Sequence, residues 1–338
     1  MLKTSASIMF YSTLISGVMI TISSNSWMGA WMGLEINLLS FIPILMNNKN
    51  IFTTEAALKY FLIQVLASST LLFFIITGIL LEMINPNISN LMTVMASSPL
   101  LLKGGMAPLH WWFPSVMEGL NWNNCLIMMT LQKIAPIILL SLLLNNNFLF
   151  SISLISITVG SLGGMNQLSI RKLMTYSSIN HIGWMLTTLT ISETLWILYF
   201  TIYSILTSTL VLIAKFTNIS FVNQVNLMNN NSWIPKFMMF SSLLSLGGLP
   251  PFLGFLPKWI VIQNLITNNM NFQTTIMVIL SLITLFYYLR LCYSSFMILH
   301  SEPSWNLMTK INLPLKFTLM LTITITGLLI SPMLILLV

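Results

Sequence analysis

Apolar residues fall in long unbroken blocks along this chain, parted by short polar connections. The blocks run close to about 20 residues, the length of helix that crosses the hydrocarbon core of a bilayer. They lack the alternation of a membrane β-barrel strand. Every backbone N–H and C=O inside lipid needs a partner within the protein, and a helix supplies it along the segment itself. The pattern therefore predicts an all-α, polytopic integral membrane protein of about eleven transmembrane helices, at 4–23, 25–46, 57–81, 91–119, 123–144, 148–167, 169–189, 193–215, 235–267, 273–299 and 314–336. The connections 47–56, 216–234 and 300–313 are polar, Asn-rich and too short for a further domain, so residues 1–338 are expected to form a single membrane domain.

Two of the spans, 91–119 and 235–267, are too long for a straight crossing, and both are interrupted by Gly and Pro. The first reads GGMAPLHWWFP from Gly104 to Pro114, the second GGLPPFLGFLP from Gly247 to Pro257. Gly104, Gly105, Pro108 and Pro114 match Gly247, Gly248, Pro251 and Pro257 at one offset of 143 residues. The copies lie five spans apart, an odd number, so the second is expected to be inverted in the membrane. The reading is a first repeat at about 4–144, an inverted second repeat at about 148–299 and an extra C-terminal helix at about 314–336. Inverted repeats with broken helices at matching places mark ion and solute transporters.

Composition narrows the class further. Only 6% of the residues are charged and 56% are hydrophobic, against about 25% charged in soluble domains. A water-soluble fold is excluded. Cys125 and Cys292 are far apart and form no CxxC, and three histidines are too few for two bis-histidine haems. No redox cofactor is therefore expected on this chain. The net charge of +7 is scattered rather than patched, which argues against nucleic acid. Alternating the spans puts Lys3, Lys49, Arg171, Lys172, Lys215, Lys236 and Lys310 on one side, with Glu82 and Glu193 on the other. By the positive-inside rule the cationic side is the matrix or its equivalent, so the N-terminus is expected there and the C-terminus opposite. The absence of Asp, with 28 Asn and only 9 Ala, favours A/T-rich codons and suggests an organellar gene. No Arg-rich presequence or cleavable signal is expected.

Glu35, Lys103, Lys133 and Lys258 fall near mid-membrane. Each costs roughly 2.5–3.5 kcal/mol at a helix centre, so such residues mark an ion path or a buried pair. A lysine out of water holds its proton less firmly, and a nearby carboxylate strengthens the hold, so Glu35 and Lys103 could load and release a proton between them. Lys103 stands just before the first break and Lys258 just after the second, while Lys133 precedes Pro136, which should loosen its helix. His181, in YSSINHIGW, is a possible relay or a satisfied core residue. His110 is open to either reading. Arg290, Lys59 and Lys316 fit snorkelling or anchoring near helix ends, Glu118 a cap or pair, and His300 a solvated position.

Longer stretches carry a resemblance. LLLKGGMAPLHWWFPSVMEGL, YSSINHIGWM and LSLGGLPPFLGFLPKW resemble the antiporter-like subunits of respiratory complex I. WMGLEINLLSFIP and TEAALKYFLIQVLASS resemble the mitochondrially encoded animal branch of that family, which has eleven helices rather than fourteen. The resemblance covers nearly the whole chain. It implies a proton-translocating role in the membrane arm of an NADH:ubiquinone oxidoreductase of the mitochondrial inner membrane. It also implies Glu35 paired with Lys103, Lys133 as the central lysine and Lys258 as the distal one. The implied partners are other complex I subunits, neighbouring antiporter-like ones among them, and membrane lipids. NADH, FMN, iron–sulfur clusters and ubiquinone would be handled by other subunits. A free-standing cation/proton antiporter of the same fold is the alternative. A subunit that only spaces its neighbours is disfavoured by four mid-membrane charges.

Overall fold

The computed structural model describes residues 5–46, 50–84, 89–143, 146–222, 224, 233–297 and 322. They form thirteen helices: α1 Ser5–Ser23, α2 Trp27–Leu45, α3 Ile51–Ile84, α4 Ser89–Gly104, α5 Trp112–Gly119, α6 Trp122–Met129, α7 Leu131–Leu142, α8 Asn146–Gly164, α9 Ile170–Ile191, α10 Glu193–Thr217, α11 Trp233–Gly247, α12 Phe255–Thr267 and α13 Asn271–Met297. Among the described residues the only β contact is a bridge between Ser169 and Phe221, and seven stretches are long and apolar enough to cross a membrane. The expected span 314–336, residue 322 apart, and Lys3, Lys49, His300, Lys310 and Lys316 lie outside the described residues.

The chain divides into two compact units, Met1–Ile152 and Ser153–Val338. In the first, α1 and α2 pack backbone to backbone. A Cβ on Gly33 would stand 2.8 Å from Thr21 N and 2.9 Å from Gly17 O, so only glycine allows this approach. Trp31 Nε1 ties α2 to α3 by donating to Ser68 O at 3.1 Å.

Two boundaries differ from expectation. α3 begins at Ile51 rather than near residue 57. Residues 51–56 contain no Gly or Pro to stop a helix, and hydropathy senses lipid rather than backbone conformation. At 1.5 Å per residue α3 is on the order of 50 Å long, well beyond the bilayer core. Its first turns carry an exposed ion pair, Lys59 Nζ to Glu55 Oε1 at 2.6 Å. The expected span 123–144 is interrupted at Thr130 (φ −116°, ψ −80°). The helix restarts with Lys133 N donating to Thr130 O, and Pro136, farther along α7, deprives Gln132 O of its helical donor.

In the second unit α9 is the central element. Seventeen of its 22 residues are buried although many are polar. The hydroxyls of Thr175, Ser177, Ser178, Thr187 and Thr188 donate to carbonyls one turn back in the same helix. Satisfied in that way, they can be surrounded by neighbouring helices at little cost.

Candidate functional site

The two Gly–Pro segments end their helices identically. α4 closes at Gly105, which has φ +66°, with Gly105 N donating to Leu102 O at 3.2 Å and Met106 N to Leu101 O at 3.0 Å. α11 closes at Gly248, φ +83°, with Gly248 N donating to Ser245 O at 3.0 Å and Leu249 N to Leu244 O at 3.4 Å. Both are Schellman ends, which need a left-handed residue and so select glycine. The offset of 143 residues thus carries a backbone conformation as well as letters.

Such an end leaves carbonyls that the helix does not satisfy, and a membrane interior offers no water to each of them. In the first unit Gln64 Nε2 on α3 donates to Lys103 O at 3.3 Å, and Trp112 Nε1 donates to Leu102 O at 3.0 Å. In the second unit Lys258 itself does the work, reaching back from α12 to Gly247 O at 2.8 Å and Leu246 O at 3.4 Å. Leu246 is the counterpart of Lys103 at the same offset, so the same carbonyl takes an uncharged amide donor in one unit and an ammonium in the other.

Lys103 is buried, and neither its Nζ nor Glu35 Oε2 has a hydrogen-bond partner. The two charges act on one another electrostatically without direct contact. A small cavity of about 10 Å³ beside Lys103 is lined by Leu34, Asn37, Leu38, Tyr60, Gln64, Gln132 and Pro136. It is close to the space of a single water. Around it Gln132 Nε2 donates to Asn37 Oδ1 at 3.1 Å, and Tyr60 OH donates to Gln132 Oε1 at 3.4 Å. α2, α3, α4 and α7 therefore meet in a polar network inside an otherwise apolar unit.

Lys133 is 1% exposed, and its Nζ lies 5.2 Å from the centre of the Phe113 ring. Phe113 packs in turn on Gly105, where a Cβ would sit 3.3 Å from Phe113 Cγ. The first unit thus gathers Glu35, Lys103 and Lys133, the last through the ring that follows the break.

Lys258 and His181 both belong to the second unit. Lys258 Nζ stands 6.0 Å from the centre of the buried Trp184 ring, three residues along α9 from His181. An aromatic face stabilises a desolvated ammonium. His181 Nδ1 is hydrogen-bonded to Tyr199 OH at 3.0 Å, and its ring lies 5.2 Å from that of Tyr203. His110 Nδ1 lies 3.2 Å from Pro108 O at an exposed position. Arg290 Nη2 donates to Met165 O at 2.8 Å, as an anchor at the end of α8 would.

Sequence reasoning missed Asn37, Tyr60, Gln64, Trp112 and Gln132 in the first unit and Tyr199 and Tyr203 in the second. Glutamine at 64 and 132 inside apolar runs was the available signal, since a membrane helix carries an amide only where it finds a partner. The tyrosines gave none, because tyrosine is common at membrane interfaces.

Comparison with known proteins agrees with this geometry. Residues 24–284 match the family described as NADH:quinone oxidoreductase/Mrp antiporter, TM. NADH-ubiquinone oxidoreductase chain 2 of Anopheles gambiae is 53% identical over 307 residues, covering 90% of this chain and 89% of that protein. The chain of the same name from Aedes aegypti is 53% identical over 327 residues, covering 95% of each. A chain in the structure of respiratory complex I from Thermus thermophilus with bound aureothin shares the fold, with a TM-score of 0.81 and 22% identity, over 97% of this chain and 79% of that one.

Proposed function

We propose that this chain, which belongs to the NADH:quinone oxidoreductase/Mrp antiporter transmembrane family, carries protons across the membrane on the buried lysines of its two broken helices. It is an antiporter-like subunit of the membrane arm of complex I, the proton-translocating NADH:ubiquinone oxidoreductase, and works among that complex's other subunits. NADH, FMN, iron–sulfur clusters and ubiquinone act in the assembled complex. In our reading none of them is held by this chain. The protein crosses the mitochondrial inner membrane many times as a single membrane domain of two inverted repeats. The excess of Lys and Arg in alternate loops favours an N-terminus in the matrix and a C-terminus toward the intermembrane space.

One observation carries the proton role. Each unit ends a helix inside the membrane on a left-handed glycine and keeps a buried lysine at the break, Lys103 in one and Lys258 in the other. Two ammonium groups retained at such a cost, beside freed carbonyls and polar side chains, suit groups whose protonation changes. Glu35 loads Lys103, Lys133 receives the proton beyond it, and His181 and Lys258 serve the second unit. Moving one proton against 100 mV costs roughly 2.3 kcal/mol. A pKa swing of under about two units supplies that, at 1.36 kcal/mol per unit.

The test is proton pumping by complex I assembled with Lys103→Met or Lys258→Met. Coupled quinone reduction and pumping should fall several-fold in each, while NADH oxidation by a hydrophilic artificial acceptor stays at the native rate. Native pumping in both variants overturns the reading. The free-standing antiporter is the weaker alternative, since relatives at 53% identity bear the oxidoreductase name.

A further inference from the structure

Beside the second break lies a group that the proposed route does not use. Tyr288, on α13, is 1% exposed, and its ring meets that of Tyr287 edge-on with centroids 4.5 Å apart. On one side it packs on the break. A Cβ on Gly247 would stand 3.4 Å from Tyr288 Cδ2, and Gly247 O is the carbonyl that takes the Lys258 ammonium. It is also within electrostatic reach of Tyr199 and Tyr203, and Tyr199 OH is hydrogen-bonded to His181 Nδ1. Its hydroxyl lies beside those of Ser177 and Tyr287.

We propose that Tyr288 is a proton-relay residue linking Lys258 to the His181–Tyr199 pair. The inference rests on the proton-carrying reading above. A phenol relays without becoming charged: Oη takes a proton on a lone pair while its own O–H proton leaves to the next acceptor. Passing from Lys258, the proton reaches Tyr288, then Tyr199 directly or through one water, then His181. Lys258 ends neutral and His181 ends as imidazolium. In the opposite direction each bond is made and broken in reverse. The site thus handles protons alone, and its second acceptor is a hydroxyl rather than a carboxylate.

The experiment compares complex I carrying Tyr288→Phe, Lys258→Met and the native chain. Tyr288→Phe keeps the ring against Gly247 and Tyr287 and removes only Oη. Pumping per electron should fall at least two-fold, with a larger solvent deuterium isotope effect on coupled turnover and unchanged NADH oxidation by an artificial acceptor. A purely structural tyrosine would leave the isotope effect unaltered. Native pumping and isotope effect in Tyr288→Phe, with Lys258→Met impaired, overturns the relay alone. Native behaviour in Lys258→Met as well overturns the reading beneath it. Should Tyr288→Phe fail to assemble, a water-resolving map of the native complex decides. Tyr288 Oη joined to Lys258 Nζ and Tyr199 OH, each directly or by one water, supports the relay. An apolar side chain interposed on either side excludes it.

Discussion

Lys258 Nζ donates to Gly247 O at 2.8 Å, so the lysine of the second broken helix closes the break it faces. Lys103, the lysine at the first break, is freed from that duty, because Gln64 satisfies Lys103 O instead. One break depends on its own charge carrier and the other does not.

That difference is measurable as stability. Lys258→Met strips the donor from Gly247 O and Leu246 O and leaves buried acceptors unsatisfied, at about 1–3 kcal/mol. Lys103→Met removes a buried ammonium that donates no hydrogen bond, but it leaves the Glu35 carboxylate without the charge that faces it, and an uncompensated charge is destabilising. Thermal unfolding of the purified complex should show a lower midpoint for Lys258→Met that Glu35→Gln does not relieve, whereas any loss in Lys103→Met should be relieved by Glu35→Gln, which removes the uncompensated charge.

Glu35→Gln should slow pumping less than Lys103→Met. The carboxylate acts on Lys103 only electrostatically, so a neutral amide weakens the charged form without removing the carrier. Proton-to-electron ratios of the two complexes check the order, and the reverse order would make Glu35 the carrier.

Gln132→Leu should cut the link from Tyr60 to Asn37 and leave two buried polar groups without their partner. The expected result is a loss of about 1–3 kcal/mol together with slower coupled turnover. Gln132→Glu keeps an acceptor for Tyr60 but not the donor to Asn37, and should fall between.

Gly248→Ala should destabilise by about 1–2 kcal/mol, the cost of a left-handed conformation for an L residue. Its Cβ would also crowd Lys258 Cδ at 3.0 Å, so pumping should fall as well. Gly78→Ala is the control. Nothing lies within 4 Å of a Cβ there, and α3 is helical throughout. It should be neutral or stabilising by about 0.5–1 kcal/mol.

The expected spans that fall on described residues coincide with helices or broken helix pairs, α3 starting earlier than expected, and seven of the described stretches are long and apolar enough to cross a membrane. Long apolar blocks are enough for that, because lipid imposes a local rule: each segment must bury its own backbone bonds. The two breaks were legible for the same reason, since Gly and Pro act on the backbone where they stand. Lys103, Lys133 and Lys258 stood out in the sequence because a charge is rare at mid-span. Tertiary structure alone decided what each charge touches. That Lys258 reaches Gly247, that Gln64 covers Lys103 O, and that Tyr288 packs on Gly247 depend on how helices distant in sequence are rotated against one another. Side-chain packing sets that rotation, and no hydropathy pattern along a single helix encodes it.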